Sequence, residues 1–471
     1  MEASGFFRSR SPRESPLWKI SERLYDRLRG EWEDRFESKF GFWRCLADGA
    51  VARYLDCGIP EMGFARLACD GCRAGRLLTF SCRTRQLCPS CGAKRGAIFG
   101  AFLREEVAED VGHAQWVFTV PKIVRIHFLR NRELSGELSR AAWETVRDLM
   151  REAADDPGLR PGMVIVPQSF GSSVNFHPHI HSIVSRGGWT PAGDWRPLPY
   201  VDADAAARLF RHKVLKFLRA ADLIDQDRIE LILSWGHNSG FSVHNSVVVQ
   251  ADDGEGLERL ARYLARPPVS LERMAWDRER GEVVYRTARG HAEGRENGAD
   301  GEERAGDFER FDELEFLARV VTQLPEPRKH SIRYYGFYAS VARAKRRRGE
   351  GDANVACEIQ SGAMVATEAA GLTGAAALAD KEPDTAERSA LRKKWAQLIR
   401  RIYEVDPLLC PCGGTFQIVA VITEQKVIAR ILAHLAKTSA AATVSAETTA
   451  GPGAGPPSRH HLGPAPGPTA N

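Results

Sequence analysis

The sequence predicts an α+β protein built around an antiparallel sheet. Three features carry that prediction. Short stretches rich in β-branched and aromatic residues, "HAQWVFTVP", "GMVIVPQSF" and "VNFHPHIHSIV", read as strands. The last two are separated by "GSS" alone, which is hairpin spacing. Helical stretches fall between hairpins instead of alternating one for one with strands, which argues against a parallel α/β sheet. At 471 residues the chain exceeds one compact core, and two or three domains are expected.

Taken in order, residues 17–56 carry apolar residues at helical spacing with few breakers. A cysteine-rich block follows, then the amphipathic helix "GAIFGAFLREEVAEDV". The strand "HAQWVFTVP" precedes the helix "RELSGELSRAAWETVRDLMREA" and the hairpin described above. Pro178, inside the second hairpin strand, fits an edge or a local irregularity better than a regular central position. "ADAAARLFRHKVLKFLRAA" is helical, and "RIELILSW" and "FSVHNSVVVQ" read as strands around the turn "GHNSG". "GLERLARYLA" is a helix stopped by Pro267 and Pro268. Residues 290–306 are polar and Gly-rich, the composition of a mobile insertion. "FDELEFLARVVTQL" resumes a helix, and "SIRYYGFYASVARAKRR" is ordered and then basic. From Lys437 onward Ala, Thr, Pro and Gly dominate without periodicity, which predicts a disordered tail.

Composition bounds the function. Hydrophobic content of 43% with 27% charged residues describes an ordinary globular protein, which removes fibrous and fully disordered classes. No apolar run approaches the ~18 residues of a membrane span, and the first residues lack an apolar signal core. A cytoplasmic protein without membrane contact is expected. Net charge of +5 is modest, but "ARAKRRR" and "GAKRGAIF" are local basic clusters suited to phosphates.

Six of the ten cysteines lie between Cys57 and Cys91, and without an export signal they read as metal ligands. "CDGC" (Cys69, Cys72) and "CPSC" (Cys88, Cys91) have the spacing of a zinc site, and four thiolates would close a tetrahedral, structural shell. Arg83, Arg85, Lys94 and Arg95 flank these positions. Cys57 and Cys82 remain as a second partial site or as buried thiols. Cys410 and Cys412, in "LLCPCGG", stand too close for an ordinary knuckle.

His177, His179 and His181 alternate along one strand and so project from one face. A buried core face rarely carries three imidazoles, so this face is wet or holds an ion. The pair His179 and His181, with Ile180 pointing the other way, suits Mn²⁺ or another transition ion and leaves coordination positions open for a phosphate oxygen. Gln168 and His177 are both candidates for a third ligand. Tyr263 is a candidate nucleophile: Leu257, Leu260 and Leu264 form the buried stripe of its helix, and Arg259, Tyr263 and Arg266 share a neighbouring face. Tyr334, Tyr335 and Tyr338 in "RYYGFY" are rivals whose crowding looks more like packing or base stacking.

A His-hydrophobic-His strand followed by a helix bearing tyrosine resembles the HUH endonucleases. The ordered series "CDGC…SCRTRQLCPSCGAKR", "WVFTVPK", "QSFGSSVNFHPHIHSIV", "GFSVHNSVVV", "LARYLARPPVSLERM" and "EFLARVVTQLPEPRKHSIRYYGFYA" resembles the insertion-sequence ninety-one family of transposases from about residue 35 to 420. The resemblance implies a helical and zinc-ribbon DNA-binding domain at 17–110 and an HUH transposase domain at 111–348, with a central antiparallel sheet flanked by helices. A small helical segment at 387–436 and a tail at 437–471 complete the expected organisation. His179 and His181 resemble the metal pair, Tyr263 the nucleophile, and Cys69, Cys72, Cys88 and Cys91 the zinc ribbon. Arg259 stands one turn before Tyr263, so the chain looks like the single-tyrosine branch, and "CPCGG" departs from the CPxCG knuckle of relatives.

The implied activity is rolling-circle transposition in the bacterial cytoplasm, at the nucleoid. It needs structural Zn²⁺ and a catalytic Mg²⁺ or Mn²⁺, and its partner is DNA as single strands or hairpin element ends. Arg259 and Arg266 are the expected DNA contacts, and an oligomer is compatible with a single nucleophile per chain. A plasmid replication initiator or relaxase is the alternative within this chemistry. A non-catalytic zinc-ribbon regulator is the alternative outside it.

Overall fold

A computed structural model describes residues 12–198, 200–235, 240–287, 308–348 and 409–447. The expected insertion at 290–306, and residues 387–408 and 448–471 of the expected C-terminal regions, lie outside the described residues.

The chain opens with helices α1 (Pro16–Gly30), α2 (Trp32–Arg35), α3 (Glu37–Phe40) and α4 (Leu46–Leu55). Ser15 caps α1 by accepting from the Trp18 N–H, and Leu17, Ile20, Leu24 and Leu28 form its buried stripe. A hairpin follows, β1 (Phe64–Cys69) and β2 (Gly75–Thr79), and then α5 (Pro89–Phe102), which starts on proline and runs into a π-turn at Leu103–Val107. The next segment is β3 (His113–Thr119), α6 (Lys122–Arg130), α7 (Leu134–Ala154), β4 (Arg160–Phe170), β5 (Phe176–Trp189) and β6 (Trp195–Pro197). Helices α8 (Ala203–Ala220) and α9 (Gln226–Ser234) precede the short strands β7 (Ser242–His244) and β8 (Val248–Val249), and α10 (Gly254–Leu264) follows. Strands β9 (Met274–Asp277), β10 (Glu282–Arg286) and β11 (Phe308–Asp312) lead to α11 (Glu313–Thr322), β12 (Arg333–Gly336) and α12 (Ser340–Arg347). The described chain ends with β13 (Phe416–Ile422) and α13 (Gln425–Glu447).

The central sheet has the order β12-β4-β5-β3-β7, all antiparallel, with β6 added to β5 and β8 to β3. Its two faces bury different helices, as strand alternation requires. Ile180 and Val184 of β5 point to the face covered by α7 and α8, where they join Trp116, Phe118, Val146 and Phe210. Ile183 points to the other face and packs with Leu257, Leu260 and Leu264 of α10 and Phe99 of α5. His177, His179 and His181 share the side of Ile183, so α10 is the helix laid over them. The predicted α+β architecture with an antiparallel central sheet is present, and α10 covers the histidine face.

Pro178 sits in a central strand, yet at an irregular place. The β4–β5 register shifts between Gln168 and Phe170, and the pairing with β3 stops at His179 opposite Thr119. No regular ladder bond is therefore demanded of Pro178.

Two local readings are corrected. "RIELILSW" forms helix α9, not a strand: Asp225 caps it by accepting from the Arg228 N–H, and Ile232 is its buried residue while Leu231 and Leu233 face solvent. The C-terminal region contributes strand β13 as well as a helix, and α13 runs past Lys437, where the tail was expected to begin, to Glu447. The N-terminal helices share one core with α11 and with β9 to β11, through Leu24, Trp32, Phe36, Val283, Phe311 and Leu317. No helix among the described residues is long and apolar enough to cross a membrane.

His113 provides a check on this packing. It lies buried at the start of β3, 2.7 Å from the Tyr338 hydroxyl, and burial pushes its imidazole down to about 4. Between pH 6.5 and 4 the unfolded chain binds a proton there that the folded chain refuses. Stability therefore falls as pH drops through that window, by at most about 3 kcal/mol from this residue. Thermal unfolding from pH 7 to 4 is expected to show a shallower pH slope for His113→Gln than for the wild type.

Candidate active site and zinc site

The histidine face is an assembly of buried acceptors. Ring centroids are 5.0 Å apart for His177 and His179 and 4.8 Å for His179 and His181, closer than strand spacing because the rings lean together. Burial is the main cause that pushes His177 down to about 3, His179 to about 4, and His181 well below its ordinary value. The nearby guanidiniums of Arg125 and Arg266 add to the shift of His179. All three imidazoles are thus neutral at physiological pH, the state a metal ligand needs. The Nδ1 of His179 is 2.7 Å from the His177 carbonyl, which orients its ring and turns Nε2 outward. The Nδ1 of His181 is 3.0 Å from the Gln115 amide. If His181 binds an ion through Nε2, Nδ1 carries the proton and the amide turns its oxygen to accept it.

Gln168 stands directly opposite His179 in the β4–β5 register. Its Nε2 donates to the Leu264 carbonyl at 2.7 Å, while its Oε1 is buried without a hydrogen-bond partner. His177 Nε2 is likewise buried and unpartnered. Among the described residues, the three imidazoles do not converge as one set of ligand atoms, whereas two groups of cysteines do. The Gln168 oxygen and the His177 Nε2 are thus both open groups beside the His179–His181 pair.

Tyr263 lies on α10 with its ring perpendicular to that of His181, centroids 5.8 Å apart, and 44% exposed. Asp253 caps the helix, and Leu257, Leu260 and Leu264 bury the stripe the sequence predicts. Arg266 lies over the Tyr263 ring at 4.3 Å, and its Nε is buried without a partner. Arg259 faces elsewhere: it reaches Asp253 and Glu255 at 3.8 Å each and is largely exposed. The structure thus brings Arg266, and not Arg259, to the phenol. Tyr334, Tyr335 and Tyr338 are buried in the core and cannot present a hydroxyl to solvent.

The four cysteines predicted to share one ion do not meet. Cys88 and Cys91 join Cys57 and Cys82, whereas Cys69 and Cys72 lie with Cys410 and Cys412. The β1–β2 hairpin is the physical reason. Cys69 and Cys72 occupy its turn, and β2 then carries the chain back so that the Gly58 N–H donates to the Phe80 carbonyl at 2.9 Å. That return sets Cys82 beside Cys57, at the opposite end from Cys69. Within the first group the sulfurs of Cys57 and Cys88 are 3.7 Å apart, Cys57 and Cys91 3.8 Å, and Cys82 and Cys91 3.6 Å. A tetrahedron with arms of ~2.3 Å has edges of about 3.8 Å, so these thiols fit a closed zinc shell. The Cys82 N–H donates to the Cys57 sulfur, as amides around such knuckles do. Sequence spacing missed Cys57 because it is distant along the chain, and its one signal was being left over.

Comparison with known proteins matches these two regions separately. Residues 31–120 match a family described as "Transposase zinc-binding domain", and residues 162–347 match one described as "Putative transposase". The chain belongs to the insertion-sequence ninety-one family of transposases. One relative, the transposase for insertion sequence element IS801 of Pseudomonas savastanoi pv. phaseolicola, is 28% identical over 306 residues, 62% of this chain and 70% of its own length. Another, the putative transposase y4qJ of Sinorhizobium fredii (strain NBRC 101917 / NGR234), is 27% identical over 306 residues, 60% of this chain and 71% of its own. No solved structure is significantly similar. Cys57, Cys82, Cys88 and Cys91 all fall within the zinc-binding match, and Gln168, His179, His181 and Tyr263 within the transposase match.

The regrouping can be checked directly. Cys57→Ser and Cys88→Ser are each expected to remove one zinc per chain, while the exposed Cys45, in neither group, is expected to become serine without loss. Elemental analysis of the three purified variants decides between the two groupings.

Proposed function

We propose that this transposase cleaves and rejoins single-stranded DNA at the face formed by β4, β5 and α10, with Tyr263 as nucleophile. The observation that carries the reading is the half-exposed phenol set edge-on to the buried His181 ring, on the face where neutral acceptors gather.

The Tyr263 oxygen attacks the scissile phosphorus. A 5′-phosphotyrosine forms, the bond to the 3′ oxygen breaks, and that oxygen leaves as a 3′-OH. One phosphodiester is exchanged for another ester, so the bond energy stays in the adduct and the reverse attack by a 3′-OH rejoins DNA without a nucleotide cofactor. His179, His181 and Gln168 would hold a divalent ion of the Mg²⁺ or Mn²⁺ class, which supplies Lewis-acid polarisation of the phosphate when bound. Arg266 offers its unpartnered Nε–H to the phosphate beside the phenol. Gln168 fixes the end of α10 to β4 through Leu264, so the phenol is held against the histidine pair. One tyrosine on this helix handles one strand end at a time, and strand transfer is stepwise or uses another subunit. Arg259 on the exposed flank of α10 contributes backbone contacts along the bound strand.

Tyr263→Phe is expected to abolish the covalent adduct on a single-stranded oligonucleotide from an element end while changing affinity by less than about twofold, since phosphate and base contacts are spread widely. Peptide mapping of the wild-type adduct tests the assignment, and a nucleotide on any other tyrosine would sink it. His179→Ala should lower cleavage by roughly 100-fold or more with DNA binding kept. Gln168→Leu, which removes the acceptor and the tie to Leu264, should raise the Mn²⁺ concentration needed for cleavage by on the order of 10-fold. A Gln168→Leu protein with unchanged metal dependence would remove Gln168 from the ligand set.

A further inference from the structure

We propose that Cys69, Cys72, Cys410 and Cys412 form a second zinc site, which clasps the C-terminal segment onto the N-terminal hairpin. Cys410 and Cys412 lie outside both matched regions. The four sulfurs lie within 4.8 Å of one another, with Cys69 and Cys412 3.5 Å apart and Cys72 and Cys410 3.6 Å apart. These spacings match the edges of a tetrahedral thiolate shell around zinc, about 3.8 Å. Cys69 and Cys412 are 343 positions apart in the chain, so the site exists through the fold alone.

The surroundings are built to bring two turns together. The Asp70 N–H donates to the Thr415 carbonyl at 3.1 Å, and the Thr415 N–H donates to Asp70 Oδ1 at 2.7 Å. Each turn is closed on itself, by Arg73 N–H to the Cys69 carbonyl on one side and by Gly413 N–H to the Cys410 carbonyl on the other. The Gly414 N–H points at the Cys412 sulfur. A Cβ at Gly414 would lie 2.7 Å from the Cys69 sulfur and 2.9 Å from Asp70 Oδ1, so only glycine lets the turns close this far.

Among the described residues, little apolar packing holds the segment besides its ladder with β1. Strand β13 adds to β1 as an edge, but Ile418, Val419 and Val421 remain exposed. The buried contacts beneath it are the small cluster of Leu67, Cys69, Cys410 and Phe416, with Ile428 buried on α13. That apolar area is slight against the cost of ordering a strand and a long helix, so the ion supplies the cohesion. Cys72 and Cys412 are exposed, whereas no cysteine of the other group is, which makes the clasp the more accessible ion.

The test uses the full chain purified under reducing conditions. Elemental analysis should find two zinc ions per wild-type chain and one in both Cys410→Ser/Cys412→Ser and Cys69→Ser/Cys72→Ser. Hydrogen exchange should show β13 losing protection in the first double variant while β4, β5 and α10 keep theirs. Gly414→Ala retains every thiol and guards against misfolding of the cysteine variants. It should release one zinc to a chromophoric chelator at least about 10-fold faster than the wild type, the other ion leaving at the wild-type rate. One zinc in the wild type, two in Cys410→Ser/Cys412→Ser, iron in place of the second zinc, or β13 protection unchanged on loss of the ion would each overturn the clasp.

Discussion

The candidate active site depends on one hydrogen bond, from the Gln168 amide to the Leu264 carbonyl. It joins the central sheet to the C-terminal end of α10, the residue after Tyr263. Backbone carbonyls in the last turn of a helix have no intrahelical partner, and this one finds a buried side chain of β4. The same amide pairs its strand position with His179. A single side chain thus ties the helix carrying the phenol to the strand carrying the imidazoles. Sliding α10 along the sheet would break that bond and uncover Leu257 and Leu260 together. The distance between the Tyr263 phenol and the histidine pair is therefore set by core packing, not by loops.

The N-terminal module depends on a different constraint, the length of the β1–β2 hairpin. Six residues of β1 at ~3.4 Å rise separate its two ends by about 17 Å, far beyond the span of one tetrahedral ion. Cysteines at the turn and cysteines at the base must therefore serve different partners. At the base, Cys57 and Cys88 are packed into the N-terminal core beside Tyr54 and Leu87, so that cluster is continuous with the helices. At the turn the described core is only the small cluster of Leu67, Cys69, Cys410 and Phe416, and Cys410 and Cys412 bring the other two thiols of the group there. Structural zinc in small peptides contributes roughly 10–16 kcal/mol, which is ample where apolar burial is scarce.

What was legible in the sequence follows from how local each signal is. Strand alternation has a period of two, so "HPHIH" places its imidazoles on one face whatever the tertiary context, and Ile180 and Ile183 fix which face meets which helices. The stripe of Leu257, Leu260 and Leu264 was equally readable, and with it the side of α10 that Tyr263 occupies. Metal sharing among cysteines is not local. Cys69, Cys72, Cys88 and Cys91 satisfy a familiar spacing, but spacing ignores a hairpin that carries one pair away from the other. Helix α9 failed for a subtler reason: Ile229, Leu231 and Leu233 alternate as in a strand, while the Asp225 cap and the single deeply buried Ile232 decide for helix. Arg259 and Arg266 both fit a phosphate-facing helix in sequence, and only the fold separates the one paired to Asp253 and Glu255 from the one stacked on the phenol.

The polarity of the candidate site bears on the proposed binding of an ion and a phosphate. Its floor holds acceptors: neutral imidazole nitrogens and the Gln168 oxygen, some of them buried and unpaired. Leaving a buried acceptor unsatisfied costs about 1–3 kcal/mol, and under the proposed function a bound cation would offset that cost. Arg266 keeps a buried Nε–H unpaired beside Tyr263, and Arg125 lies close enough to depress His177 and His179 further. The half-exposed phenol thus touches the His181 ring on one side and carries the Arg266 guanidinium over its own ring. Strand alternation sets the imidazoles on one side and helical periodicity sets the phenol on the other, the juxtaposition that the proposed attack on a phosphodiester would use.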